Sequence, residues 1–443
     1  MASSPPLPRV CVTGGGGSTA SWLVKLLLSR GYAVNATVRD PRDPKNACLE
    51  QLDGARENLR VFKADMLDYG AVTPALAGCE GVFHIATPVP EQEMVDPEAS
   101  VHPSPGPAYI CDVTIYVTPI VSSLRCPCIA RNTKIEGGWR RQRPSQQIVP
   151  WPSGCGGEEI WLIKEMMDPT VKGTMNVLKA CSAMNVEKLI LVSSAASICF
   201  NPDWPEDKVK DESCWSDKEF CKENKSWYSL AKTEAEEIAL EYGDKNGLHV
   251  ITFCPGLVFG PLLQHVVLNT SSKVLLYMIK GCNPNSSAIC SISFLLSVTL
   301  LFLAFITRVT IFWEVHGGPD TMNNKFWPIV DVRDVAGALL LLYNKAGPHE
   351  RYICSLDQMD LKELLEIMKS MYPSYSYADK MVDVDYKGAL TSDKLKNLGW
   401  KPRKLEDTLA DSVESYEKAG LLHVSDGEPC RLPFFYRMPP LVE

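Results

Sequence analysis

Arg9-Val10-Cys11-Val12-Thr13-Gly14-Gly15-Gly16-Gly17-Ser18-Thr19-Ala20 is the stretch that decides how this chain folds. Arg9 to Thr13 reads as a buried strand, and the residues from there to about Arg30 carry the apolar spacing of an amphipathic helix. The glycines between them let a backbone approach a pyrophosphate, and a helix N-terminus adds free N–H groups and partial positive charge. Gly14, Gly17 and Ala20 form a GxxGxxA spacing, with Gly16 inside the same turn. A flexible surface loop has a similar composition; the strand before and the helix after are what mark a phosphate loop.

Working outward, a second strand, Ala33 to Val38, ends in Arg39. An acidic residue there would hold the ribose hydroxyls of NAD, whereas an arginine pairs with the 2′-phosphate of NADP, so NADPH is the expected cofactor. A third strand, Leu59 to Lys63, leads to Asp65, which is either a ligand contact or a helix cap. A fourth, Gly81 to Ile85, leads to Ala86 and Thr87, and a helix from Asp168 to Met184 precedes a fifth strand, Lys188 to Val192, ending in Ser193-Ser194. Alternating strands and helices predict a doubly wound parallel α/β sheet, with ligands at the strands' C-terminal ends.

Farther along, Tyr228 and Lys232 stand four residues apart on a predicted helix, Trp227 to Tyr242, whose apolar face runs through Ala231, Ala235 and Ile238. A phenol beside an ammonium ion has a lowered pKa and suits protonation of a carbonyl oxygen. Taken alone, the pair also fits a core tyrosine with a lysine stem passing it.

The composition, 45% hydrophobic and 22% charged with a net charge of −8, is that of a globular protein and argues against a nucleic-acid partner. The 16 cysteines are scattered, with only Cys126 and Cys128 close together, so no metal site is expected. The start, MASSPPLPRV, has no secretory pattern, which favours the cytoplasm.

The glycine turn, the serines after the fifth strand and Tyr-x-x-x-Lys on the next helix together resemble an extended short-chain dehydrogenase/reductase. The stretches Ala36–Pro41, Phe83–Pro88, Asp211–Asp217 and Cys254–Pro261 narrow this to the plant cinnamoyl-CoA reductase and dihydroflavonol reductase group. The resemblance implies a Rossmann-type domain over 8–98 and 165–258, and a smaller substrate lobe mainly over 259–280 and 318–423. It implies that NADPH delivers hydride to a carbonyl carbon, Tyr228 protonates the oxygen, Lys232 lowers the tyrosine pKa and holds the nicotinamide ribose, and Ser194 hydrogen-bonds the carbonyl, with Ser193 ranked behind it. By position it places Gly14, Gly16, Gly17, Arg39, Lys45, Asp65, Ala86, Thr87, Tyr228, Lys232, Pro255, Val258 and Ser271 against the cofactor. Substrates in phenylpropanoid metabolism follow: a hydroxycinnamoyl-CoA thioester reduced to the aldehyde, or a dihydroflavonol, aldehyde or ketone. The chain departs from the group at Ser18-Thr19, where Phe-Ile is common, and at Ser226, Ser229, Leu230 and Ala231 around the tyrosine. A nucleotide-binding regulator without activity is the alternative of another class.

Farther on, Asn324 to Val330 is predicted as a strand and Asp331 onward as a helix through Leu342, with Asp331 and Asp334 capping and packing. Arg351 to Ser355 is a strand; Leu361–Met371, Ser392–Leu398 and Leu405–Ala419 are helices, and 424–443 is a tail. Two stretches break the pattern. Residues 99–163 are far too long for the connection they occupy, and 281–316 contain an uncharged run, 288–307, long enough to span a membrane. A span there would put Tyr228 and Asp331 on opposite sides of a bilayer, so a membrane partner is not expected. Removing both stretches restores the expected order, which points to translated intervening sequence.

Overall fold

The computed structural model describes residues 7–87, 166–224, 226–264, 268–280, 322–357, 359–375, 377–378, 381–384 and 388–422. The stretches 99–163 and 281–316, with the apolar run 288–307, and the tail 424–443 lie outside the described residues. Numbered along the chain, the strands are β1 (Arg9–Thr13), β2 (Ala33–Val38), β3 (Leu59–Lys63), β4 (Gly81–His84), β5 (Lys188–Val192), β6 (His249–Pro255), β7 (Leu257–Phe259), β8 (Met322–Asn324), β9 (Ile329–Asp331), β10 (Glu350–Cys354) and β11 (Met381–Asp383).

Seven of them form one sheet in the order β10-β6-β5-β4-β1-β2-β3, and every pairing is parallel. Parallel strands covered on both faces read as continuous apolar runs, and Leu189-Ile190-Leu191-Val192 of β5 is buried throughout. One face is covered by the Ser18–Ser29 and Val332–Lys345 helices, whose Leu23, Leu27, Leu339 and Leu342 pack on Val12, Val34 and Phe83. The other carries the Tyr69–Leu76, Asp168–Ala183 and Trp227–Asn246 helices, with Leu76, Val177, Leu178 and Ala239 against Cys11, Val82 and Leu189. This is the expected doubly wound sheet, and its winding reverses between β1 and β4, the place at which open α/β sheets bind ligands at their C-terminal ends.

Beyond β6 a second cluster forms around Leu275, Tyr277, Met278, Leu365 and Tyr416, from the Thr270–Lys280, Leu361–Met371 and Leu405–Lys418 helices. The expected single strand from Asn324 to Val330 is instead two. β8 pairs with β11 and β9 pairs with β7, in separate two-stranded sheets. The chain turns between them, with the Lys325 N–H donating to the Asn323 carbonyl and Pro328 offering no N–H to a ladder. Asp331 caps the following helix by accepting from the Arg333 N–H at 2.7 Å, and Asp334 pairs with Arg403, so both are the structural residues anticipated. Among the described residues no helix is long and apolar enough to cross a membrane.

Candidate active site

All the predicted site residues except Lys45, Tyr228, Lys232, Val258 and Ser271 sit at the end of a parallel strand, as Pro255 does in β6, or just past one, so the sheet gathers them along one edge. The glycine turn is tight: Gly14 has φ +68°, and its N–H donates to Thr37 Oγ1 at 3.2 Å. Its Cα side faces Ala86, where an added Cβ would stand 3.1 Å from the Ala86 Cα. At Gly16 an added Cβ would fall 1.7 Å from Asn46 Oδ1. That oxygen is buried without a hydrogen-bond partner, while Asn46 Nδ2 donates to the Asp40 carbonyl at 2.7 Å. Gly17 is the N-cap of the Ser18–Ser29 helix and has no side chain to offer the first-turn N–H groups. An open helix N-terminus behind glycines that leave no room for a side chain fits a dinucleotide pyrophosphate.

Arg39 stands exposed past the end of β2. Lys45 lies in the short turn beyond it and pairs with Asp43 at 3.1 Å. Asp65 is exposed and its Oδ1 accepts from the Leu67 N–H, while the cap of the Tyr69–Leu76 helix is Asp68. Val258 and Ser271 are brought together, the Val258 N–H donating to Ser271 Oγ at 3.1 Å, and Pro255 accepts from the Ala195 N–H at 2.9 Å.

The Thr13 hydroxyl accepts from the N–H groups of both Ile85 and Ala86 at 3.0 Å and lies 2.9 Å from His84 Nδ1. With its acceptor side used, Thr13 donates its proton to Nδ1, and His84 Nε2–H donates to Thr174. Burial, then the nearby Lys232 charge, pushes the His84 pKa down to about 3, so this imidazole is neutral.

Lys232 is 5% exposed, and its Nζ donates to Thr87 Oγ1 at 2.9 Å and to the Val192 carbonyl at 3.0 Å. An ammonium has three protons, so one remains for a ligand. Burial pulls its pKa down to about 8, against the opposing influence of Cys254 and Glu236. Tyr228 hydrogen-bonds Ser194, and the Lys232 Nζ stands 5.9 Å from the centre of its ring. The anticipated lowering of the tyrosine pKa does not appear: burial raises it, outweighing the Ser194 hydrogen bond. The ammonium is turned toward Thr87 and Val192, and the phenol stays protonated at neutral pH, as a proton donor must. Ser194 Oγ also accepts from the Ala196 N–H at 3.2 Å.

Glu236 escaped the sequence reasoning. It is fully buried, one turn beyond Lys232 on the same helix, and accepts from Ser193 at 2.8 Å, Ser197 at 2.6 Å, Thr252 at 2.6 Å and Arg351 Nε at 2.8 Å. The signal was available: an acidic residue between Ala235 and Ala239 falls on the face that the helix buries. Among the described residues no group of His, Cys, Asp and Glu side chains could hold a metal ion.

The NAD dependent epimerase/dehydratase family matches residues 153–354, and an NAD(P)H-binding family matches residues 14–100. Cinnamoyl-CoA reductase 1 of Petunia hybrida is 31% identical over 421 residues, spanning 94% of each chain. Tetraketide alpha-pyrone reductase 1 of Arabidopsis thaliana is 28% identical, over 94% of this chain and 97% of its own. Among solved structures, vestitone reductase from alfalfa superposes with a TM-score of 0.61 at 24% identity, covering 94% of this chain and 99% of that one. At that identity the likeness speaks for the fold.

Proposed function

The chain belongs to the cinnamoyl-CoA reductase-like group of the extended short-chain dehydrogenase/reductase family, an NAD(P)-dependent oxidoreductase, and from that premise we propose that it reduces a hydroxycinnamoyl-CoA thioester to the aldehyde. The observation that carries the chemistry is the Tyr228–Ser194 hydrogen bond beside the buried Lys232 at the C-terminal edge of the sheet.

The cofactor is NADP(H). The turn at Gly14, Gly16 and Gly17 takes its pyrophosphate, Arg39 and Lys45 its 2′-phosphate, and Asp65, Ala86, Thr87, Pro255, Val258 and Ser271 line the rest of its length. Bound NADPH supplies the hydride that reduces the carbonyl carbon. Ser194 donates a hydrogen bond that fixes the carbonyl oxygen, and Tyr228 gives that oxygen its proton. Lys232 holds the nicotinamide ribose with the one N–H that Thr87 and Val192 leave over, a hold that needs the ammonium form. With a thioester, the tetrahedral adduct collapses to aldehyde and free CoA; with a ketone or aldehyde, protonation gives the alcohol directly.

Ser226, Ser229, Leu230 and Ala231, which replace the group's usual neighbours of the tyrosine, leave the substrate open to a second class, dihydroflavonols or simple aldehydes and ketones. The residues of 259–280 and 318–423 shape the substrate side. The described cysteines are free, as a reducing compartment keeps them, and we place the protein in the cytoplasm. NADPH oxidation with feruloyl-CoA, coumaroyl-CoA, a dihydroflavonol and cinnamaldehyde tests the reading. Turnover of a CoA ester above the others supports it. Measurable NADPH binding without turnover of any would replace it with a regulatory nucleotide sensor.

A further inference from the structure

Glu236 is an acid where the fold tolerates few. Its side chain is 0% exposed, and it pairs with Arg351, whose side chain is 7% exposed. One carboxylate oxygen accepts from Ser193 and Ser197, which flank Ser194 on either side; the other accepts from Thr252 on β6 and Arg351 on β10. Cys254 Sγ lies 3.4 Å from the latter oxygen. Arg351 is itself fixed: its Nη1 donates to the Glu212 and Cys214 carbonyls, and its guanidinium stacks 3.4 Å from the centre of the Trp215 ring. Five segments therefore meet at one carboxylate: the Ser193–Ser197 turn, the 212–215 loop, the helix bearing Tyr228 and Lys232, and strands β6 and β10.

A buried carboxylate with this many donors costs more to desolvate than a hydrophobic residue of the same size, so packing alone does not account for it. Ser193 also donates its N–H to Phe253 and Ala195 its N–H to Pro255, which pins the backbone on both sides of Ser194. We propose that Glu236 is a positioning residue of the active site: its carboxylate fixes the Ser193–Ser194 turn against the Tyr228–Lys232 helix and sets a negative charge one helical turn behind the Lys232 ammonium. This rests on Tyr228 being the proton donor.

The charge is there to act. Burial opposes ionisation of Glu236, but Arg351 and the hydroxyl donors outweigh it and hold the carboxyl below its ordinary range. The groups that face Lys232 are Tyr228 and Glu236 from its own helix, Cys254 from β6 and His84 from β4, the last neutral. Glu236 is thus the one anion in that set. Removing its charge lowers the Lys232 pKa, so the ammonium is lost at a lower pH and reduction fails earlier as the pH rises.

The test is kcat against pH for the full-length wild type, Glu236→Gln, Glu236→Asp and Tyr228→Phe. In Glu236→Gln the alkaline limb moves down by about one pH unit and the plateau falls about tenfold, with KM for NADPH changed by less than about threefold. Glu236→Asp keeps the charge but cannot reach Ser193, Ser197 and Arg351 together, so its limb stays in place while its plateau falls about tenfold. Should Glu236→Gln fail to fold, Glu236→Asp carries the test. An unmoved limb in Glu236→Gln, or wild-type kcat in Glu236→Asp, overturns the proposal. Activity retained by Tyr228→Phe would overturn the donor assignment beneath it and is read separately.

Discussion

Replacing Gly16 by alanine should disable the phosphate loop through one contact. The new Cβ would lie 1.7 Å from Asn46 Oδ1 and 2.9 Å from its Cγ, so the asparagine must leave its position. Moving it breaks the 2.7 Å bond from Asn46 Nδ2 to the Asp40 carbonyl. One such hydrogen bond is worth about 1 kcal/mol, and forced repacking costs about 1–3 kcal/mol more. The loop therefore gives up about 2–4 kcal/mol, and each ~1.4 kcal/mol that binding must restore is a tenfold rise in Kd. Titration calorimetry with NADPH should show at least about tenfold weaker binding for Gly16→Ala. Because the obstacle is one side chain, Asn46→Gly in the same background should recover most of the loss, with a coupling energy of at least about 1 kcal/mol between the two sites. Wild-type affinity in Gly16→Ala, or an equal loss with and without Asn46→Gly, would refute this account of the loop.

Arg39→Ala should raise KM for NADPH about 10- to 100-fold and leave that for NADH within about threefold, since one charge-assisted contact to the 2′-phosphate is removed; equal effects on both cofactors would count against the assignment. His84 is held neutral in the fold, with its pKa down at about 3, whereas the unfolded chain binds that proton near 6.5. The unfolded state thus gains protons first, and stability is lost as the pH falls from about 6.5 toward 3. Urea midpoints should drop less steeply between pH 7 and 5 in His84→Gln than in the wild type, and parallel slopes would show that His84 is not responsible. We propose that 99–163 and 281–316 are translated intervening sequence; without the first, the Asp168–Ala183 helix is the ordinary crossover between the paired strands β4 and β5. A chain lacking both should turn over substrate faster than the full-length form; equal turnover, or a native mass matching all 443 residues, would contradict this.

Much of the fold was legible because parallel strands buried on both faces write themselves as apolar runs: β1, β2 and β5 fall at the bounds anticipated for them, as does β3, although that edge strand has no buried residue. The glycine turn was legible for the same reason, its strand and helix being unmistakable on either side. The Asn324–Val330 region was not, since Trp327 and Pro328 continue an apolar run while the backbone turns between two different sheets. The Trp227 helix was found, but its buried face is centred on Lys232, Ala235, Glu236 and Ala239, with Ile238 and Tyr242 only half-buried. Charged residues on that stripe hide it from a hydrophobicity pattern. Glu236 makes sense only once Arg351, more than a hundred residues away, is beside it. The tyrosine pKa likewise depends on where the ammonium points, which spacing along a helix does not specify.

Proton donation by Tyr228 is the claim on which the rest turns, and single-turnover NADPH oxidation by Tyr228→Phe addresses it directly. The substitution removes one hydroxyl and keeps the ring that Lys232 approaches at 5.9 Å. The account predicts a loss of at least about 100-fold in the rate of reduction, the scale of a positioned general acid, with NADPH affinity changed by less than about threefold. A variant that reduces the same substrate at the wild-type rate would contradict it.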